Sequence, residues 1–396
     1  MTMDLGNPTL YTTSDRYSRW RSLVAAGEPH WSEPGPTHTG FWSVFSHEAC
    51  GKALSPSAPM TSEYGMMIGF DREHADLSGG RMLVTAEGER HRKLRRIVSP
   101  FLSRVAAGSF GERIEREVTG LLRGARESGQ EGDTLDVAKG IGPYIPAATV
   151  CEILGVPAAD RERLITLTGH AFGGEDSSYD GMTPSMAHTE ILSYFYDLIT
   201  ERRRRPGDDL VSALLADPEL DDQDVLLNCD NVLIGGNETT RHAIAGTFHA
   251  LAEAPDTLAL LSRDPEAFAP AVEEVLRWTS PALHVLRVTT GEFPVGGRVI
   301  PAGSPVVAWL PAANRDPRVF DRPDEFRPQR VPNKHLAFGY GLHHCMGAAL
   351  ARIELDVLLR VLSRETKSIS ITDEPQWIRG LLVQGYKSVR VALEWN

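Results

Sequence analysis

Apolar residues between positions 109 and 205 recur every three or four places, in blocks separated by polar or glycine-rich text. That period predicts amphipathic helices over 109–129, 141–155, 157–171 and 184–205. Upstream, Ser14 can cap a helix from Asp15 to Ala26, and a shorter one follows from Ser46 to Leu54. The stretch from Pro56 to Gly80 mixes Pro, Gly and Ser with Met66, Met67, Ile68 and Phe70 and reads as loop. A basic helix is expected from Glu87 to Arg104, with Pro100 breaking its last turn. Gly173–Pro184 is too polar and glycine-rich for an element. Asp221 and Asp222 open a pattern that runs to Pro255, a helix of roughly 50 Å at 1.5 Å per residue. Strands come late: VLRVTT (285–290), RVIPAG (298–303), SPVVAWL (304–310) and the C-terminal SVRVALEW. The fold class is therefore mainly α with a minor β region.

Composition narrows this little but usefully. The net charge of −12 argues against bulk nucleic-acid binding. Cys50, Cys151, Cys229 and Cys345 are widely scattered, which fits a reducing cytosol rather than a disulfide framework. The first thirty residues carry no apolar run of the kind found in a signal peptide or membrane anchor. The expectation is a cytoplasmic protein with no membrane or nucleic-acid partner.

One stretch carries chemistry. In FGYGLHHCMG (Phe338–Gly347), Cys345 follows a glycine-studded run and precedes the apolar-periodic AALARIELDVLLRVL. Gly339, Gly341 and Gly347 let the backbone turn tightly and approach something flat and bulky. The helix that follows aims its first N–H groups back at the sulfur, which favours a thiolate. Such a sulfur suits the axial position of a haem iron. Two other readings stand beside this one: a buried structural thiol, and a zinc site using His343 and His344, although consecutive residues chelate poorly.

Three further patterns fall in place with it. LIGGNETTRHA (233–243) sets Gly235 and Gly236 in mid-helix at a cost of roughly 1 kcal/mol each. Close helix packing is one reason for them; a large group lying against the backbone beside Glu238 and Thr239 is another. In EEVLRW (273–278), Glu274 and Arg277 share a helix face. In GERHRKLRR (88–96), His91 and Arg95 share another.

Phe338–Gly347 resembles, at every position, the haem-binding loop of the cytochrome P-450 family, F-G-x-G-x-H-x-C-x-G, with His343 on the histidine position. The long-helix segment resembles the family's acid–alcohol motif, EEVLRW its E-x-x-R element, and PDEFRPQR (323–330) the segment that supplies Arg330. The resemblance implies one domain over residues 1–396, with a long central helix over haem b (iron protoporphyrin IX). It implies Cys345 as metal ligand, with Gly235, Gly236, Phe338, Gly339 and Gly347 against the haem. His91, Arg95, Arg287 and His343 would grip its propionates. Glu238 would carry protons in from solvent and Thr239 would position the hydroperoxo oxygen. Glu274, Arg277 and Arg330 would form a buried network behind the cysteine loop.

The reaction implied is monooxygenation of a small molecule of bacterial secondary metabolism, with a carrier-protein tether compatible. Electrons would come from a ferredoxin and its reductase, docked on Arg92, Lys93, Arg96, Arg104 and Arg352. The family's variable pocket regions map to Tyr64–Phe70, a Phe172–Met186 lid, Val232–Gly236, Leu283–Val285 and Gly380–Val383. Met66, Met67, Ile68, Val232, Leu283, Val285, Leu381 and Leu382 are the pocket candidates within them, with Met182 and Met186 on the lid. A peroxide-driven peroxygenase and a non-catalytic haem-binding recruitment module are the alternatives; both sit poorly with an intact Glu238–Thr239 pair.

Overall fold

A 32-residue helix, Asp222–Glu253, organises the molecule. Its first turn is closed by a reciprocal cap: the Asp221 carboxylate accepts from Asp224 N at 2.8 Å, and the Asp224 carboxylate accepts from Asp221 N at 3.2 Å. Pro255 follows its end. The fold is that of a computed structural model, which describes residues 3–396 except 14, 77, 108–109, 129–133 and 173–180. The predicted Ser14 cap and most of the predicted lid lie outside the described residues.

Helices Tyr144–Ile153, Pro184–Arg204 and Phe268–Thr279 pack on the long helix. The first half of the long helix faces one apolar core, shared with Arg161–Phe172 and Pro184–Arg204. Its second half faces another, shared with Phe110–Ser128, Phe268–Thr279 and Ala348–Glu365. The β region is a five-stranded mixed sheet in the order His30–Ser32, Phe41–Val44, Pro305–Trp309, His284–Thr289, Met60–Thr61. Alternation along it sorts side chains onto two faces. Leu286, Val288, Val307 and Trp309 join a core with Trp20 and Tyr11, whereas Val306 and Ala308 join one with Leu54 and Leu336.

Two expectations change here. The basic helix runs unbroken from Gly88 to Ala107 with Pro100 inside it, so the predicted break is absent. The strands His30–Ser32 and Phe41–Val44 and the helix Asp256–Arg263 had no clear signal, because each is too short for its period to register.

One buried acid marks the core beneath the cysteine helix. Glu354, on Ala348–Glu365, is enclosed with Oε1 unpartnered. Burial pushes its carboxyl up from 4.5 to about 8, with the nearby Thr149 hydroxyl pulling the other way. The folded state therefore binds this proton more tightly than the unfolded chain does. The stabilisation is complete at low pH and is lost as pH rises from 4.5 through about 8. Glu354→Gln should melt higher than the parent at about pH 9 and nearly level with it at about pH 5. An unchanged gap across that range, measured by thermal melts, would show that Glu354 is not a neutral acid.

Candidate functional site

The cysteine loop is shaped by backbone that only glycine tolerates. Gly339 and Gly341 have φ of 69° and 77°, and a Cβ on Gly341 would stand 2.3 Å from the Leu54 carbonyl oxygen. The Cys345 N–H donates to the Phe338 carbonyl at 3.0 Å and closes the loop. Cys50, Cys151 and Cys229 are buried, and burial pushes all three thiols up, Cys151 to about 12. Cys345 alone of the four is exposed. The surrounding loop still crowds its sulfur. Desolvation therefore raises this thiol too, against backbone N–H groups of Gly347 and Ala348 and the positive charge of Arg95 and Arg352. The predicted donors are in place, but in the bare chain they do not outweigh desolvation; a metal cation held by the sulfur would supply the balance. Among the described residues no cluster of three or more His, Cys, Asp or Glu side chains could hold a metal ion, which leaves the zinc reading without partners.

The predicted anion-binding residues converge from three separate segments: the Gly88–Ala107 helix, the His284–Thr289 strand and the cysteine loop. The rings of His91 and His343 lie 4.3 Å apart. Arg95 donates to the Leu342 and His344 carbonyls at 3.2 and 3.1 Å. Arg287 is buried, and among the described residues no carboxylate stands within ion-pair distance of it. Burial lowers its guanidinium to about 10, partly offset by the Glu87 charge. His91 is held down to about 4, by burial first and then by His343 and Arg95, and its Nε2 is buried without a partner. A buried cation without a counterion and an orphaned ring nitrogen are both costly. An anionic group between them relieves both, so these residues fit the propionates of a haem. Sequence spacing gave no sign of Glu87, which accepts from Ser62 N at 2.8 Å and lies 3.4 Å from His343 Nε2.

On the long helix the two glycines part company. A Cβ on Gly235 would meet open space, as expected beside a large flat group. A Cβ on Gly236 would stand 2.2 Å from Val150 Cγ2. Gly236 thus serves close packing against the Tyr144–Ile153 helix, which corrects its assignment to the cofactor. Thr239 is half-buried and donates to the Gly235 carbonyl at 3.1 Å, while the helix continues unbroken around it. Glu238 is only 1% exposed. Its carboxyl is raised by burial, against Arg241 at 3.2 Å and the Thr168 hydroxyl. It is enclosed, with Arg241 at 3.2 Å and His242 at 3.9 Å from its oxygens.

The Glu274 network is more extensive than two motifs suggest. Arg277 grips Glu274 through Nε at 2.7 Å and Nη2 at 2.8 Å, and both side chains, like that of Arg330, are buried. Arg330 Nε reaches Glu274 Oε2 at 2.9 Å and Asn333 Nδ2 reaches it at 3.0 Å. Arg277 Nη1 donates to the Asn314 carbonyl at 2.9 Å, and Asn314 Oδ1 accepts from Leu336 N at 2.6 Å, two residues before Phe338.

Several pocket and docking candidates sit elsewhere than expected. Leu283 is fully buried in the core with Trp20 and Trp309, which removes it from the pocket wall. Met66, Met67, Ile68, Val232, Val285, Leu381 and Leu382 are partly exposed, and Ile68 and Leu381 rest on that same core. Met186 is exposed and Met182 half-buried at the described end of the lid. The docking patch is largely cancelled. Arg92 pairs with Glu89 at 2.7 Å, and Lys93 with Asp217 at 3.5 Å and with Glu219. Arg352 pairs with Glu273 at 2.6 Å beneath the Phe338 ring. The Arg104 side chain lies outside the described residues.

Comparison with known proteins gives the fold and site a family. The Cytochrome P-450 family model matches residues 269–368. The chain is 34% identical over 396 residues to cytochrome P-450 NovI of Streptomyces niveus, covering 99% of this chain and 96% of that one. The crystal structure of OxyD, a P-450 involved in the biosynthesis of vancomycin-type antibiotics, is 60% identical with a TM-score of 0.94 and full coverage of both chains. BioI, solved with a fatty-acid-ligated acyl carrier protein, is 26% identical with a TM-score of 0.82 over 98% of this chain and all of that one. The chain belongs to the cytochrome P-450 family. It is a haem-thiolate monooxygenase whose cofactor is iron protoporphyrin IX. No helix among the described residues is long and apolar enough to cross a membrane.

Proposed function

We propose that this monooxygenase hydroxylates a small, largely apolar intermediate of bacterial secondary metabolism, presented on a carrier protein. Cys345 would hold the haem iron through its sulfur, and electrons would arrive from a ferredoxin and its reductase in the cytoplasm. The observation that carries the assignment of the ligand is Cys345, exposed among four cysteines and set in a glycine-turned loop, with a partnerless His91 Nε2 and an uncompensated Arg287 on neighbouring segments. The biosynthetic role is supported by the likeness to OxyD, and the carrier by the acyl carrier protein bound to BioI. Haem supplies the binding and reductive activation of dioxygen, aided by electron density from a thiolate ligand.

The rest is the chain's work. His91, Arg95, Arg287 and His343 hold the propionates. Gly235 would leave room for the haem beside the long helix, while the half-buried Met66, Met67, Val285 and Leu382 would orient the substrate and exclude water. Thr239, tied to the Gly235 carbonyl, keeps its oxygen lone pairs free to accept a proton-bearing partner in the cleft. Glu238 is desolvated and inclined to keep its proton, and the Arg241 guanidinium beside it eases its release.

Thr239→Ala should uncouple electron use from product, releasing peroxide, and Glu238→Gln should slow turnover on the order of 10²-fold. Both are read as product and peroxide formed per reducing equivalent. Unchanged coupling in Thr239→Ala removes that hydroxyl from the reaction. Turnover driven by peroxide alone, with no gain from ferredoxin and reductase, replaces the monooxygenase route with a peroxygenase one.

A further inference from the structure

His284 opens the strand His284–Thr289 on the face opposite Val285 and Arg287. It is buried, with its ring 5.6 Å from that of Trp309. Two distant segments meet at this strand's beginning. One is the Met66–Ile68 loop: Ile68 N donates to His284 Nε2 at 3.3 Å, and Leu286 N donates to the Met66 carbonyl at 3.4 Å. The other is the turn near the C terminus: Leu283 N donates to the Leu382 carbonyl at 3.2 Å, and Gln384 N donates to the Pro281 carbonyl at 2.7 Å. Leu381 lies beside the ring. His284 Nδ1 is turned toward its carbonyl without reaching full hydrogen-bond geometry.

An acceptor at Nε2 places the ring proton on Nδ1 and requires a neutral imidazole. Burial supplies that condition by holding the ring down to about 4. The Ile68 amide has no strand partner of its own, so without this acceptor a half-buried N–H would go unsatisfied.

We infer that His284 is a positioning residue that fixes the separation of the two apolar walls of the substrate cleft, Met66–Ile68 and Leu381–Leu382. It thereby selects substrates by the bulk that fits between them. The inference rests on the haem-thiolate reading of the cleft. His284 itself touches neither cofactor nor substrate.

The test uses the haem-loaded enzyme and two azole probes that bind iron. Imidazole is too small to reach the walls, whereas 4-phenylimidazole carries a ring that must pass between them. In His284→Phe, which keeps the bulk against Trp309 but removes the acceptor, 4-phenylimidazole should weaken roughly tenfold while imidazole holds its affinity. His284→Gln, whose amide oxygen can replace Nε2, should restore most of the difference. Equal effects on both probes, or a Gln variant no better than Phe, overturn the inference. Hydrogen exchange in the parent holoenzyme decides the matter even if His284→Phe does not fold. The Ile68 amide should be protected like the strand amides of Leu286 and Val288; exchange as fast as exposed loop overturns the latch. Loss of the thiolate spectrum in the parent would instead strike the haem reading, a separate outcome.

Discussion

Cys345→Ser will bind haem yet lose both monooxygenation and the long-wavelength Soret band of its reduced carbon monoxide complex, after which the family is named. The serine hydroxyl is nearly the size of the thiol but does not ionise at working pH, so it gives the iron a weak neutral oxygen in place of an anionic sulfur. The loop should survive the change. Its closing bond is from the Cys345 backbone N–H to Phe338, and Arg95 ties the Leu342 and His344 carbonyls from outside. Three of the four propionate partners, His91, Arg95 and Arg287, come from other segments, so haem retention should persist with an ordinary Soret position. Cys50, Cys151 and Cys229 are buried with raised thiols and cannot substitute. Difference spectra and product analysis of the purified variant check this. A variant that kept the red-shifted band would require another sulfur at the iron.

Glu274→Gln should have the second large effect, on folding rather than chemistry. The carboxylate is 0% exposed and takes charge-assisted bonds from Arg277, Arg330 and Asn333, with a fourth from Arg327 N at 2.8 Å. Neutralising it leaves two guanidinium groups in the core without their counterion, a loss of about 3–5 kcal/mol. Against a typical margin of about 5–15 kcal/mol, that is enough to leave most of the chain haem-free or insoluble. The damage is directional, because the network continues through Asn314 to Leu336 and so to the start of the cysteine loop. Arg277→Lys should fare no better. The planar fork serves Glu274 and the carbonyls of Asn314, Pro323 and Glu325, which one ammonium group cannot reach together. Soluble yield, haem content and denaturant midpoint measure both variants. A Glu274→Gln protein with the parental midpoint would show that the buried charge contributes little.

Much of this was legible before any coordinates, for identifiable reasons. The long helix announced itself because its cap, its period and its terminating Pro255 all agree, and the cysteine loop because glycine is obligatory at positive φ. What escaped were contacts between residues far apart in sequence. Glu87 meeting His343, Asn314 meeting Leu336 and His284 meeting Ile68 have no periodicity to betray them. Other readings failed where one pattern admits two causes. Gly235 and Gly236 look alike in sequence, yet one faces open space and the other Val150. The arginines of the basic helix suggested a positive face, but Glu89, Asp217 and Glu219 come round to neutralise it. Pro100 predicted a break, yet tertiary packing carries the helix through to Ala107. Leu283 fell in a variable pocket region, but it stands just before the strand and is buried in the core with Trp20 and Trp309.

The most direct check is X-ray absorption at the iron edge of the purified holoenzyme. The account predicts a sulfur atom among the nearest neighbours of the iron, present in the parent and missing from Cys345→Ser. An iron surrounded only by nitrogen and oxygen in the parent, or a sulfur that persists in the variant, would contradict it.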